Sequence, residues 1–136
     1  MPSYSLATEE SAVSFPDMII LIAEDDEVSR LLLLTSLKNA NITTLSAVNG
    51  QEAVIMVEQH PEINLVLMDV KMPLMNGYEA TTLIKKIRPY LPVIVQTAFT
   101  SKEERQKAQD AGCYGFITKP VNNDELFALI KKVLNN

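Results

Sequence analysis

Glu24-Asp25-Asp26, Asp69, Thr97 and Lys119-Pro120 each stand at the end of a short apolar run, and no other residues of this chain are so well placed for chemistry. Strands that end side by side would gather the acids into one cluster, with a hydroxyl and an ammonium opposite. Carboxylates brought that close repel one another, and one takes up a proton unless a cation intervenes. A hard divalent ion with oxygen ligands is the natural remedy. Mg²⁺ in particular uses one or two carboxylates, several waters and phosphate oxygens. No His or Cys stands at any strand end, which disfavours softer metals. Each residue alone also has a plainer reading: loop acids facing water, a β-branched strand end for Thr97, a surface lysine before a proline for Lys119. Asp69 is harder to dismiss, because the apolar run Leu65–Met68 leads straight into it.

The elements that would position these groups alternate along the chain. Strands are expected at MIILIA (18–23), TTLSA (43–47), LVLMD (65–69), VIVQT (93–97) and GFITK (115–119). The first, third and fourth are almost continuously apolar, as strands covered on both faces must be. Helix-period segments lie between them, over Val28–Asn39, Gln51–Gln59, Tyr78–Ile87, Lys102–Ala111 and Asn123–Leu134. Ala80, Leu83, Ile84 and Ile87 trace the i, i+3, i+4, i+7 stripe. Asn49…Glu52, Asn76…Glu79, Ser101…Glu104 and Asn122…Glu125 each set a capping side chain three residues before a Glu. Strand–helix alternation with short connections calls for parallel strands, right-handed crossovers and helices on both faces. In such α/β folds the ligand site lies beyond the carboxyl ends of the strands, where the acids, Thr97 and Lys119 stand.

Composition narrows the function classes. With 136 residues the chain suits one domain, and 47% hydrophobic and 21% charged residues are ordinary globular usage. A net charge of −5 without a basic run argues against gripping nucleic acid. The single cysteine, Cys113, has no internal partner and fits a reducing, cytoplasmic compartment. No apolar stretch approaches the ~20 residues of a membrane span. Residues 1–17 are polar and unpatterned, so they are expected to be a linker or disordered tail, with the domain occupying 18–136.

Residues 18–134 resemble the receiver domain of two-component signalling proteins. The likeness runs through ILIAEDDEVSR, LVLMDVKMPLMNGYEA, LPVIVQTA and AGCYGFITKP, in order and correctly separated. It implies a doubly wound, flavodoxin-like (βα)5 fold with a five-stranded parallel sheet in order 2-1-3-4-5. It implies that Asp69 accepts a phosphoryl group from a phosphohistidine, borne by a histidine kinase or a histidine phosphotransfer domain. By the same resemblance Glu24, Asp25, Asp69 and the backbone carbonyl of Lys71 would hold Mg²⁺, while Thr97 and Lys119 would contact phosphoryl oxygens. Thr97 and Phe116 would form the switch, altering the face made by the fourth helix, fifth strand and fifth helix, which is also where a homodimer could form. Lys71 and Phe99 would line the route of hydrolytic water and tune phosphate lifetime. The Lys119–Pro120 bond would be cis. The wording of the motifs is most similar to receivers at the C-terminus of hybrid sensor histidine kinases, and a stand-alone response regulator is the alternative. As an isolated domain it would catalyse only its own phosphorylation and dephosphorylation.

Departures and rivals are informative. Glu24 stands where the family more often has Asp, and its extra methylene still permits metal binding, directly or through water. Phe116 could also be simply a core aromatic, with Tyr114 its rival on the same strand. An aspartyl-phosphate phosphatase of the haloacid dehalogenase type would need a second acid two residues after the nucleophile, where Lys71 stands. A flavodoxin-like FMN site would need a Ser/Thr/Gly-rich loop after the first strand, where Glu24-Asp25-Asp26 would repel phosphate. A phosphorylation-dead receiver would act only by binding. In the Leu31–Leu34 run, more leucines are present than a core stripe requires, leaving some to dock a partner.

Overall fold

Burial from both sides selects the three central strands. In the computed structural model, which describes residues 13–98 and 100–135, β1 (Ile19–Ala23), β3 (Leu65–Asp69) and β4 (Val93–Thr97) are buried almost throughout. The more polar β2 (Thr43–Ala47) and the short β5 (Gly115–Thr118) take the edges. All pairs are parallel, and the sheet order is β2-β1-β3-β4-β5. The crossovers are α1 (Glu27–Asn39), α2 (Gly50–Gln59), α3 (Gly77–Ile87) and α4 (Lys102–Ala111), and α5 (Asn123–Leu134) closes the fold. This is the expected flavodoxin-like architecture.

Strand alternation divides the core in two. Leu21, Ala23, Val66, Met68, Val93 and Val95 face one side, where Ala53 and Val57 of α2 and Ala80 and Ile84 of α3 cover them. Ile20, Ile22, Leu65, Leu67, Ile94 and Ile117 face the other, against Leu33 and Leu37 of α1 and Leu126 and Ile130 of α5. The exposed Leu31 and Leu32 project from α1 instead.

The four capping signals work as read: Asn49, Asn76, Ser101 and Asn122 accept from the backbone N–H of Glu52, Glu79, Glu104 and Glu125. Only Asn76–Glu79 closes a full reciprocal box. Glu52 turns to the Val48 N–H, and Glu104 to Lys107 and Tyr78. α1, α2 and α3 each begin one residue before the expected start, because Asp26, Asn49 and Asn76 are the caps themselves.

The boundary at Met18 needs correcting. Phe15, placed in the tail by its polar surroundings, is only 7% exposed and belongs to the α1/α5 core. Its N–H donates to the Ala40 carbonyl at 2.8 Å, and its ring stacks on Phe127 of α5 at 6.1 Å between centroids. Asn41 adds a bond to the Ser14 hydroxyl at 2.9 Å. Phe15→Ala should therefore cost about 3 kcal/mol, read as a lower urea midpoint with unchanged slope. An unchanged midpoint would return Phe15 to the tail.

Candidate functional site

β1 and β3 deliver two acids to the same end of the sheet. Glu24 follows β1 directly, its N–H donating to the Ala47 carbonyl at 3.0 Å, and its side chain is wholly buried. Asp69 is the last residue of β3 and 5% exposed. Lys119, one residue beyond β5, joins them: its Nζ donates to Glu24 Oε1 at 2.8 Å and lies 2.9 Å from Asp69 Oδ1. The Lys119–Pro120 bond that follows is cis. Asp25 stands exposed at the mouth, and one oxygen from each of Glu24, Asp25 and Asp69 lies within 4.8 Å of the others. Asp26, grouped by sequence with these acids, turns aside to cap α1 through the Ser29 N–H at 2.8 Å. That bond holds its pKa below the usual value. Glu24 Oε2 accepts from the Asp26 N–H at 3.1 Å, and Arg30 Nη1 donates to the Glu24 carbonyl at 3.0 Å.

The electrostatics follow from burial. Desolvation raises the Asp69 pKa to about 6; the Lys119 hydrogen bond opposes this and the Glu24 charge adds to it. Burial pulls the Lys119 ammonium down, yet its bonds and charge contacts with Glu24 and Asp69 outweigh that and raise it. One ammonium thus serves two buried acids, a donor set of hard oxygens still short of positive charge. That deficit fits a divalent cation held by Glu24, Asp25 and Asp69.

Because the native Asp69 pKa lies above its ordinary value of 3.8, the folded protein binds more protons than the unfolded chain between those values. The contribution of Asp69 is therefore full below about pH 4 and is lost as pH rises through about 6. In metal-free buffer, Asp69→Asn should gain on the wild type across that window, by on the order of 2 kcal/mol at neutral pH. Parallel stability curves for the two proteins from pH 4.5 to 7.5 would contradict this.

The remaining site residues sit around this core. Thr97 ends β4, 2% exposed, and pairs in register with Thr118. It is in phase with Val95, whose partner is Phe116. Strand alternation therefore sets Thr97 and Phe116 on the face opposite to that of Leu67 and Ile117. Phe116 is half-buried, with the Arg105 guanidinium of α4 at 5.1 Å from its ring centre. Tyr114 is more exposed, at 37%. Lys71 is an exposed residue just beyond β3. Phe99 lies outside the described residues. Sequence reading missed two contacts here, the Arg105–Phe116 stack and the Tyr78 hydroxyl, which donates to Glu104 Oε1 at 3.0 Å and ties α3 to α4. Neither has a local signal, since the partners lie on different elements.

Among the described residues no helix is long and apolar enough to cross a membrane. Residues 20–131 match the response regulator receiver domain family. The chain is 31% identical over 119 residues to the sensor histidine kinase CheAY of Helicobacter pylori, covering 85% of this chain and 15% of that one. It spans 15% or less of the length of the sensor kinases first matched. It is 30% identical to the polar-differentiation response regulator DivK of Brucella anthropi, covering 86% of this chain and 96% of DivK. Among solved structures, the receiver domain of Ssk1 in complex with the histidine phosphotransfer protein Ypd1, from Saccharomyces cerevisiae, superposes with a TM-score of 0.76 at 31% identity, covering 88% of each chain. With its sheet order, its acidic strand ends and these likenesses, the chain belongs to the response regulator receiver domain family of two-component signalling.

Proposed function

We propose that Asp69 accepts a phosphoryl group from the phosphohistidine of a histidine kinase or histidine phosphotransfer protein, in a Mg²⁺-dependent step of a phosphorelay. The observation that carries this reading is the shared ammonium: Lys119 Nζ at 2.8 Å from Glu24 and 2.9 Å from Asp69, at the carboxyl ends of three strands. An Asp69 oxygen attacks phosphorus in line, the P–N bond breaks, and the imidazole departs with its electron pair. Such transfer depends on positioning and on neutralising oxygen charge. Lys119 supplies a charge for one phosphoryl oxygen and Thr97 a hydroxyl for another. Glu24, Asp25, Asp69 and the Lys71 carbonyl would hold Mg²⁺, which when bound supplies further neutralisation of the acids and the incoming phosphate.

Burial keeps bulk water from most of the Asp69 carboxylate, which favours a lasting acyl phosphate over immediate hydrolysis. Phe116 and Thr97, in phase on one sheet face, are the pair through which phosphorylation would alter the surface of α4, β5 and α5, including any homodimer there. The domain turns over nothing but its own phosphate. The sensor kinase relatives support a place within a hybrid kinase, and the DivK likeness, covering 96% of that regulator, supports a stand-alone one.

Incubation with acetyl phosphate and Mg²⁺, followed by intact mass measurement, tests the reading. One hydroxylamine-labile phosphate adduct should form on the wild type and vanish in Asp69→Asn. An adduct that persists in Asp69→Asn would move the acceptor elsewhere, and no adduct on the wild type would leave a domain that only binds.

A further inference from the structure

A cavity of about 450 Å³, with Lys119 in its lining, opens between α1 and the β5–α5 connection. Ser29, Leu32 and Ser36 of α1 form one wall, Pro120 and Val121 the other, and Gln96 of β4 reaches it from the sheet. Its volume falls in the range of small-ligand sites. Gln96 is in phase with Ile94, so it belongs to the sheet face that carries Ile20, Ile22, Leu65 and Leu67, and it pairs in register with Asp69 at the end of β3. It is 1% exposed, and its Nε2 has no hydrogen-bond partner. Buried side-chain donors are nearly always satisfied. Among the buried side-chain polar atoms of the described residues only Gln96 Nε2 and Arg88 Nη1 lack partners, and Arg88 is the less buried and is anchored through Nη2 to the Ile63 carbonyl. A buried donor without a partner, on a residue that lines a cavity of ligand size, calls for an acceptor brought from outside, met by a turn of the amide toward the cavity.

We propose that this cavity binds a small, neutral molecule with an apolar body and a carbonyl or amide oxygen, the oxygen accepting from Gln96 Nε2. Leu32, Pro120 and Val121 supply the apolar contact, and the Ser29 and Ser36 hydroxyls can meet a second polar group. The ligand is neutral because Lys119, the one ammonium in the lining, is already shared by Glu24 and Asp69, and Asp69 pairs in register with Gln96, so the acids' field repels a carboxylate. The site does not depend on phosphorylation of Asp69, and its test needs neither phosphodonor nor Mg²⁺.

Titration of the ¹⁵N-labelled full chain with acetanilide, benzoate and toluene, followed by ¹H–¹⁵N spectra, decides the matter. Acetanilide should move the Gln96 side-chain amide signals together with the Val121 and Ser36 backbone signals, and should saturate. Toluene should bind roughly tenfold more weakly, the factor that one hydrogen bond supplies, and benzoate should also bind more weakly, because the acids repel its charge. Gln96→Leu should weaken acetanilide by a similar factor while leaving toluene unchanged. Ser36→Phe, which fills the cavity from α1, should abolish binding of both. The proposal is overturned by equal affinity for the three probes, by undiminished acetanilide binding in Gln96→Leu, or by no saturable shift at Gln96. The last outcome would mean that water, or a protein partner covering α1, satisfies the amide.

Discussion

Lys119→Met is expected to slow acyl-phosphate formation on Asp69 on the order of 100-fold, the usual effect of deleting one preorganised charge from a transition state. The substitution acts twice. It removes the ammonium that would meet a phosphoryl oxygen, and it takes the shared partner from Glu24 Oε1 and Asp69 Oδ1. Two buried acids left without that cation favour a proton over a second charge. In the metal-free protein the Asp69 pKa, already about 6 with Lys119 present, then rises further, and Mg²⁺ must compete with that proton before Asp69 can attack. Part of the lost rate should accordingly return as pH is raised, which the loss of a phosphate contact alone would not produce. Lys119→Arg keeps the charge but replaces a compact ammonium with a planar fork. It should retain the stability of the acid pair better than it retains the rate. Adduct formation from acetyl phosphate, followed by intact mass at several pH values, measures all three proteins. A Lys119→Met rate within threefold of wild type would remove Lys119 from the proposed chemistry.

What could be read from sequence, and what could not, divides along the range of the interactions. Helix starts were legible because Asn49, Asn76, Ser101 and Asn122 bond to an N–H three residues on, inside the segment being read. The central strands were legible because burial on two faces leaves continuous apolar runs. Their alternation with helices then dictated a parallel sheet, and a parallel sheet dictated that Glu24, Asp69 and Lys119 meet at one end. Asp26 was misgrouped because an acid that caps a helix and an acid that joins a cluster look alike until the Ser29 N–H is placed. Phe15 was lost for the opposite reason. It sits in a polar stretch, and its partners Ala40 and Phe127 belong to distant elements. The Tyr78–Glu104 bond and the Arg105 stack on Phe116 are likewise tertiary facts. Gln96 was read as one more residue of an apolar strand, since nothing in VIVQT tells whether the amide finds a partner.

Gly77→Ala should be among the most damaging single-methyl changes the chain can suffer, and the reason is contact with the nucleophile's own backbone. Gly77 opens α3, and its N–H donates to the Val70 carbonyl at 2.8 Å, closing the loop that follows β3. A Cβ added there would fall inside van der Waals contact with the carbonyl oxygen and carbon of Asp69, and 3.0 Å from Met68 Cγ. Backbone cannot swing aside as a flexible side chain can, so α3 must retreat from β3 or Asp69 must move. Either response disturbs a core packed to crystal-like density, and overpacking of this kind costs about 3 kcal/mol. Gly115→Ala is the matched control, because its added methyl meets only ordinary contacts, the nearest being Leu129 Cδ2 at 3.5 Å. Urea denaturation should therefore find Gly77→Ala strongly destabilised and Gly115→Ala near the wild type. Under conditions where Gly77→Ala remains folded, its adduct formation should still fall, because the methyl displaces the residue that must attack in line. Equal midpoints for the two variants would refute the steric account. A destabilised Gly77→Ala with a normal rate in its folded fraction would show that α3, and not Asp69, gives way.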